Sequence, residues 1–373
     1  MKKLLAILCM TTMLATVFTG CGKKDEISDT PSEEVRVDET ETEVERETNS
    51  EGMVRSYLTG QWVSSELAQQ RPVAVMIGNT NDALPQYGLS QADILYEVPV
   101  EGGITRLMGI FEDYSNLDKI GSVRSCRHYF AYYAMEFDAI YVHYGQAIYA
   151  TELLESDKVD NLNGINGTID SLTFYRDSNR KQPHNAFVST QGIQAGIEHQ
   201  GYETTYDSDY TGHYLFNEDD ENEIQLSNGE DAAVVQPGYY ISNTWFEYNE
   251  EEGVYYRFEF KKPHTDENNG EQLKFKNILI QYADSTVLDD NRGYLDVTTV
   301  GSGTGKYITN GKAIDITWKR DSETSATKYY DTDGKEIVLN QGKTNVCVVL
   351  NSMKDRLKIY ANADEFEGPT PSK

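Results

Sequence analysis

Basic side chains around residue 124 have the types and spacing of an anion-binding site. Arg124, Arg127 and His128 fall at the start of a predicted helix, where residues three and four apart share one face. The first turn of a helix also presents unpaired N–H groups and a partial positive charge. Two guanidinium groups in such a place can hold a phosphate or a carboxylate. The pattern therefore predicts that these three residues bind a ligand.

Residues from other segments could complete this site. Arg106 lies on the strand predicted before the helix, and Asn185 lies in a loop after it, so both are candidate ligand-binding residues. His143 and His184 are candidate acid or base groups, because an imidazole titrates near neutral pH. We expect these side chains to line one polar cleft.

Three acidic residues offer a competing explanation. Asp93, Glu97 and Glu101 lie nearby in sequence, and carboxylates often simply pair with buried arginines, so all three are candidate carboxylate partners. Glu97 and Glu101 also suggest a glycosidase pair, but an extended chain separates residues four apart by about 13 Å. Glycosidase carboxylates lie about 5 to 9.5 Å apart, which disfavours that reaction.

The sequence contains no motif for a metal site, a cofactor or a disulfide framework. It has no HExxH motif, no paired CxxC, no EF-hand loop and no Gly-x-Ser-x-Gly elbow. It therefore predicts neither a metal nor a cofactor. Cys126 and Cys347 lie far apart in sequence and are predicted to be buried free thiols.

The elements that would position these residues divide the chain into two structured parts. Apolar runs of strand length alternate with helical patterns over residues 58–205, and short β runs separated by turn signals fill residues 241–362. The clearest predictions are strands at 72–77, 93–98, 104–111 and 139–144 and a helix over 124–137. Residues 206–240 form an acidic connecting region. The predicted fold class is α+β, with an N-terminal mixed α/β-sheet domain followed by a mostly β C-terminal domain.

The N-terminal residues have the pattern of a lipoprotein export signal. Two lysines precede an apolar run that ends at Phe18-Thr19-Gly20-Cys21 and is shorter than the roughly 20 residues of a membrane span. Residues 1–21 are therefore a predicted signal peptide. Acyl chains on Cys21 would anchor the protein in the lipid bilayer, on the extracytoplasmic face of the cell membrane. Residues 22–57 are acidic and poor in large apolar groups, which predicts a disordered tether.

The net charge limits the partners of the protein. The chain carries a formal charge of −28 at pH 7. Nucleic-acid binding requires a basic face that neutralises phosphates, so the sequence predicts no nucleic-acid partner. An anionic ligand would require a local basic pocket on this acidic protein.

Several segments together resemble the YerB-like lipoproteins, a bacterial envelope family whose function is not established. The matching segments are 71–77, 92–97, 101–106, 123–125 with Arg127 and 129–130, 142–145, 183–185, 300–303, 307–311 and 316–319. The resemblance covers about residues 58 to 350. It implies an α+β N-terminal domain, a β-rich C-terminal domain and membrane anchoring, and it implies no reaction.

Three hypotheses for the function follow from these observations. The leading one is a membrane-anchored extracytoplasmic lipoprotein that binds an anionic envelope ligand, such as a cell-wall polymer, or an envelope-assembly protein. The alternative is a hydrolase or phosphotransferase that acts on a phosphate- or carboxylate-bearing wall polymer, with His143 or His184 as acid or base. The third is a scaffold that recognises protein only. The sequence leaves open whether the protein is an enzyme.

Overall fold

The computed structural model describes residues 46–288 and 291–369, which belong to one compact unit. The predicted signal peptide, Cys21 and most of the predicted tether lie outside the described residues. Within them, no helix is both long and apolar enough to cross a membrane.

The described residues form five α-helices and 26 strands. The helices are α1 (Ser65–Gln69), α2 (His128–Met135), α3 (Thr151–Leu154), α4 (Gly167–Thr173) and α5 (Thr190–Gln200). The strands up to residue 200 are β1 (Val54–Arg55), β2 (Trp62–Val63), β3 (Val73–Asn79), β4 (Ile94–Pro99), β5 (Thr105–Phe111), β6 (Ile120–Gly121), β7 (Ile140–His143), β8 (Asn161–Asn163), β9 (Phe174–Arg176) and β10 (Ala186–Val188).

The remainder of the described chain is built mostly from strands. They are β11 (Leu215–Phe216), β12 (Glu230–Asp231), β13 (Val234–Gln236), β14 (Trp245–Asn249), β15 (Val254–Glu259), β16 (Lys262–Pro263), β17 (Lys274–Phe275), β18 (Asn277–Ala283), β19 (Ser285–Val287), β20 (Leu295–Val297), β21 (Gly301–Thr309), β22 (Lys312–Arg320), β23 (Lys328–Tyr330), β24 (Val338–Leu339), β25 (Thr344–Leu350) and β26 (Lys358–Tyr360). The predicted α+β class, with a β-rich C-terminal half, is confirmed.

One mixed sheet runs through both halves of the described chain. Its strand order is β12-β22-β21-β18-β25-β4-β5-β3-β7-β8, with β23 paired to β22. The two halves meet where β25 pairs in parallel with β4, in a register that places Thr344 opposite Ile94. Every residue of β3, β4, β5, β18 and β25 is buried, as expected for strands covered on both faces. The two predicted domains therefore share one sheet.

The predicted helix over 124–137 begins later in the structure, at His128. Arg127 is its N-cap and has extended backbone angles. The backbone N–H of Arg124 donates to the carbonyl of Met76, and the carbonyl of Arg124 accepts from Tyr144. These bonds tie the segment before α2 to the ends of two strands, so the first turn that was predicted to hold Arg124 does not form.

Ordered structure also begins earlier than residue 58. The guanidinium of Arg46 lies 3.6 Å above the Tyr57 ring and donates to the carbonyl of Ala68 at 2.6 Å. Strand β1 then pairs with β2. Residues 46–57, which the sequence assigned to the tether, therefore pack against the folded part.

Candidate functional site

A pocket opens where three parallel strands end. β3, β7 and β8 run parallel to one another, and their carboxyl ends meet at one edge of the sheet, the usual place for ligands in such sheets. The pocket has a volume of about 380 Å³. It is lined by Val123, Arg124, Ser125, Tyr144, Gly145, Gln146, Ile165, Arg176, Gln182, Pro183 and Ala186. We call it the Arg124–Arg176 pocket.

Charge, rather than size, distinguishes this pocket. A larger hollow of about 600 Å³ is lined by Lys306 and Asp315, among others, but these two side chains form an ion pair at 2.9 Å. In the described part of the chain, neither Arg124 nor Arg176 has a carboxylate within ion-pair distance. The pocket therefore presents two guanidinium groups that are not engaged in ion pairs.

Arg124 is held in place by its backbone and by His184. The backbone bonds to Met76 and Tyr144 fix the main chain, and Nη1 of Arg124 lies 3.1 Å from Nδ1 of His184. Because a guanidinium only donates, Nδ1 of His184 is the acceptor. Burial, followed by the charge of Arg124, lowers the pKa of His184. His184 therefore orients an arginine, and the structure supplies no separate sign that it acts as an acid or base.

Arg176 also lines the pocket, and the sequence did not indicate it. Its Nη1 donates to Oδ1 of Asn185 at 2.7 Å, and its guanidinium lies 4.2 Å from the centre of the Tyr144 ring. β9 pairs with β10 so that Arg176 lies opposite Ala186. Each strand of this hairpin has only three residues, so the sequence offered no clear signal for it.

The loop that carries His184 and Asn185 therefore positions both arginines. His184 contacts Arg124, while its neighbour Asn185 contacts Arg176. Asn185 is 7% exposed, so it supports the site from behind rather than facing a ligand.

Arg106 lies close to the pocket but beneath its surface. It is 5% exposed, lies opposite Gly78 in the β3–β5 register and donates to the backbone carbonyl of Ser125. Burial, followed by the charges of Arg127 and Arg124, lowers its pKa to about 10. Among the described residues it has no carboxylate partner within ion-pair distance. Arg106 therefore adds a positive charge without a direct ion pair beneath Arg124.

Arg127 pairs with Glu101, as expected if the arginines are neutralised by nearby carboxylates. Nε of Arg127 donates to Oε2 of Glu101 at 2.9 Å, and Nη2 contacts the other carboxylate oxygen. Burial raises the pKa of Glu101, but the hydrogen bonds and charge of Arg127 outweigh it, and the net shift is downward. The guanidinium also lies 4.7 Å from the centre of the Tyr294 ring. The guanidinium charge of Arg127 is thus already paired inside the protein.

Two of the predicted histidines lie outside the pocket lining. Nε2 of His128 is 2.9 Å from Oδ1 of Asp296 on β20. His143 is fully buried, with Nδ1 2.8 Å from the carbonyl of Gly145, and burial lowers its pKa to about 4. A sealed, neutral imidazole is poorly placed to exchange protons with a ligand. His143 instead supports the loop at Gly145 that lines the pocket.

The other two predicted acids also lie away from the pocket. Asp93 accepts a hydrogen bond from the backbone N–H of Glu112 at 2.9 Å, and burial raises its pKa. Glu97 is fully buried and pairs with Arg257 at 2.7 Å, across the junction between the two halves of the chain. Glu97 therefore joins two parts of the fold and is not one of the residues that face the cavity.

The described residues offer no metal site and no activated nucleophile. They contain no group of three or more His, Cys, Asp or Glu side chains that could hold a metal ion. Cys126 and Cys347 are buried free thiols, as predicted, and burial raises their pKa values. Among the hydrogen bonds of the described chain, none joins His143 or His184 to a hydroxyl or a thiol.

Comparisons with known proteins identify similar chains and one similar structure. Models for the N-terminal and C-terminal domains of DUF3048, described as a protein of unknown function, match residues 58–203 and 233–346. The chain is 29% identical over 353 residues to the "Putative lipoprotein YerB" of Bacillus subtilis (strain 168), covering 94% of this chain and 96% of that protein. A crystal structure of YerB from Bacillus subtilis matches with a TM-score of 0.72 and 30% identity, covering 82% of this chain and 99% of that one.

Proposed function

The chain belongs to the DUF3048 family of YerB-like lipoproteins, and from this premise we propose that it binds an anionic ligand of the cell envelope. The ligand carries a phosphate or a carboxylate, borne by a cell-wall polymer or another envelope component, and it occupies the Arg124–Arg176 pocket. Acyl chains on Cys21 hold the protein on the extracytoplasmic face of the membrane.

One observation carries this proposal: neither Arg106, beneath the pocket, nor Arg124 and Arg176, which line it, forms an ion pair among the described residues. Arg71, Arg257 and Arg320 are also largely buried, and each has a carboxylate within 3.1 Å. Arg106 and Arg124 have none among the described residues, although burial lowers the pKa of both. Arg106 is buried and Arg124 is half-buried, whereas Arg176 is exposed. Because an unpaired charge is costly where it is buried, a bound anion would stabilise Arg106 and Arg124.

The orientation of the two pocket arginines supports the same ligand class. Arg124 uses one terminal nitrogen on His184, and Arg176 uses one on Asn185, so further N–H donors remain on each fork. Guanidinium forks bind carboxylates and phosphates through paired hydrogen bonds. Because the supporting contacts already fix both side chains, a ligand does not have to order them.

An enzymatic role has weaker support from the site. Acid–base chemistry would require an imidazole that reaches the ligand, and His143 is sealed while His184 is engaged with Arg124. Ser125 lines the pocket, but none of the described side chains acts as its base. Binding requires only the arginines.

Isothermal titration calorimetry tests the proposal on the soluble chain that begins after Cys21. The probes are glycerol 3-phosphate, a phosphate monoester, and N-acetylmuramic acid, a carboxylate. We expect the wild type to bind at least one probe, and Arg124→Ala plus Arg176→Ala to weaken binding by about tenfold or more, or roughly 1.4 kcal/mol.

The matched control is Lys274→Ala plus Lys319→Ala, which removes two positive charges from exposed ion pairs elsewhere. This control should bind like the wild type. Equal weakening by both double variants, or no binding of either probe to the wild type, would contradict the proposal.

A further inference from the structure

Exposed apolar side chains lie beside the pocket. Ile148, Val287 and Ile165 are 71%, 69% and 60% exposed, more than the other large hydrophobic residues of the described chain. Ile165 lines the pocket itself. Single exposed hydrophobic residues are normal, so their grouping, rather than their exposure, is informative.

Hydrogen bonds group two of these residues at the pocket mouth. Oδ1 of Asn163 accepts from the backbone N–H groups of Gly145 and Ile165 at 3.1 and 3.2 Å. Nδ2 of Asn163 donates to Oε1 of Gln146 at 2.9 Å. The loop that leads to Ile148 and the loop that carries Ile165 are therefore fastened together at the carboxyl ends of β7 and β8.

The third exposed residue, Val287, lies on the β19–β20 hairpin. The Tyr149 ring, next to Ile148, lies 6.1 Å from the Tyr294 ring in an edge-to-face arrangement. Tyr294 directly precedes Leu295, which lies opposite Val287 in the hairpin. We call Ile148 and Ile165 the apolar rim, because their two loops are fastened together beside the pocket, and Val287 lies on the hairpin that Tyr149 contacts through Tyr294.

We propose that the ligand is a membrane lipid whose acidic head group enters the Arg124–Arg176 pocket while its hydrocarbon chain lies on the apolar rim. This inference rests on the proposed function and specifies its ligand class. A polar wall polymer would leave the rim isoleucines in water, whereas a lipid chain covers them. The charges of the pocket and the adjoining apolar side chains match the two ends of an amphiphile.

The anchor places such lipids within reach of the pocket. Residues 22–45 separate Cys21 from Arg46, and a chain of that length extends at most about 85 Å at roughly 3.4 Å per residue. A tethered site meets lipids of the same membrane at a high effective concentration. The formal charge of −28 gives the whole protein no attraction to an acidic surface, so recognition depends on the pocket and rim together.

Paired soluble probes test the inference. Methyl phosphate and octyl phosphate, the latter kept below its micelle concentration, present the same head group with and without a chain. We expect octyl phosphate to bind the wild-type protein at least about tenfold more tightly than methyl phosphate, because part of the octyl chain leaves water on binding. Ile148→Ser plus Ile165→Ser should abolish this difference, so that the variant binds the two probes with similar affinity.

Controls separate failure of this inference from failure of the proposed function. Leu215→Ser plus Ile241→Ser removes two exposed apolar residues from other segments and should preserve the preference for octyl phosphate. If the wild type binds the two probes with equal affinity and Arg124→Ala plus Arg176→Ala binds neither, the lipid inference alone is overturned. Binding of both probes unchanged in that arginine variant would overturn the proposed function as well.

Flotation with vesicles distinguishes a lipid from a soluble phosphate as the source of the head group. Phosphatidylcholine vesicles that contain dodecyl phosphate should bind the soluble protein that begins after Cys21, so that the protein floats with them. Ile148→Ser plus Ile165→Ser should prevent this flotation. Flotation that depends on neither the arginines nor the isoleucines would count against the inference.

Discussion

Arginine side chains of the described chain differ in their partners. Arg257 and Arg320 are fully buried and contact carboxylates at 2.7 and 2.8 Å, so they stabilise the fold. Arg124 and Arg176 are held by a histidine and an amide, which leave their charge available. The hydrogen-bond partner, rather than the residue type, separates an arginine that can bind a ligand from one that joins two parts of the fold.

This distinction limits what the sequence could show at the level of residues. Basic residues between 106 and 184 were expected to meet in one hollow, and the structure brings Arg106, Arg124 and His184 together. His128 and His143 contact other groups because Asp296 and Gly145, distant or unremarkable in sequence, lie next to them in the fold. The Asp296 partner of His128 is a tertiary contact that residue spacing does not record, whereas His143 is held by the nearby Gly145 inside the fold.

Glu112 gives a prediction about the pH dependence of stability. It is 3% exposed, and burial raises its pKa to about 7. A raised pKa in the folded state means that the protonated carboxyl is favoured there. Its stabilising effect is therefore fully present below about pH 4.5 and is lost as the pH rises towards 7, by at most about 3 kcal/mol.

Glu112→Gln removes this titration. We expect the free energy of unfolding, measured by urea denaturation between about pH 4.5 and 7.5, to fall less steeply with pH in the variant than in the wild type. Glu152→Gln, at an exposed glutamate, should follow the wild type. Parallel pH profiles for wild type and Glu112→Gln would show that Glu112 titrates normally.

At the level of elements, the loops after β7 and β8 build the pocket. Tyr144 follows β7 and supports the guanidinium of Arg176, while Gly164 follows β8. A Cβ atom on Gly164 would lie 2.2 Å from the Tyr144 ring. The glycine therefore leaves the space in which the aromatic ring supports the pocket arginine.

Gly164→Ala should displace Tyr144 and, through it, Arg176. We expect a loss of about 1–3 kcal/mol in the free energy of unfolding, together with weaker binding of the phosphate probe. Gly167→Ala is the matched control, because a Cβ atom there meets nothing within 4 Å. If Gly164→Ala binds and unfolds like Gly167→Ala, Tyr144 does not support the pocket in this way.

The sequence predicted some elements better than others. β3, β4, β5 and β7 lie close to the predicted ranges because each is an apolar run that is buried on both faces. β8, β9 and β10 have three residues each, too few for a recognisable alternation, and they were not identified as strands from the sequence. The predicted start of α2 was wrong because backbone hydrogen bonds to neighbouring segments replace the expected first turn.

At the level of the whole molecule, the two family domains are joined by their sheet and by a buried polar cluster. β25, from the C-terminal half, lies between β18 and β4. Glu97 on β4 also accepts from Arg257, Ser242 and Thr244, all contributed by the C-terminal half. No single run of sequence reveals this junction, because the register that unites the halves pairs residues about 250 positions apart.

Glu97→Ala tests this junction, because it leaves the charge of Arg257 buried with a partner missing. We expect this variant to lose about 3–5 kcal/mol in the free energy of unfolding. Because the junction couples the two halves, we expect the wild type to unfold in a single calorimetric transition. Glu271→Ala, at an exposed carboxylate, should change stability little. Two separate transitions in the wild type would indicate that the halves unfold independently.

An NMR titration of arginine Nε–H groups with glycerol 3-phosphate tests the central claim most directly. Resonances can be assigned by replacing single arginines with lysine. We predict that the signals of Arg124 and Arg176 shift together and saturably, with one dissociation constant, while the paired Arg257 stays unchanged. The absence of a shift at Arg124 and Arg176, or equal non-saturating shifts at exposed arginines across the surface, would contradict the account.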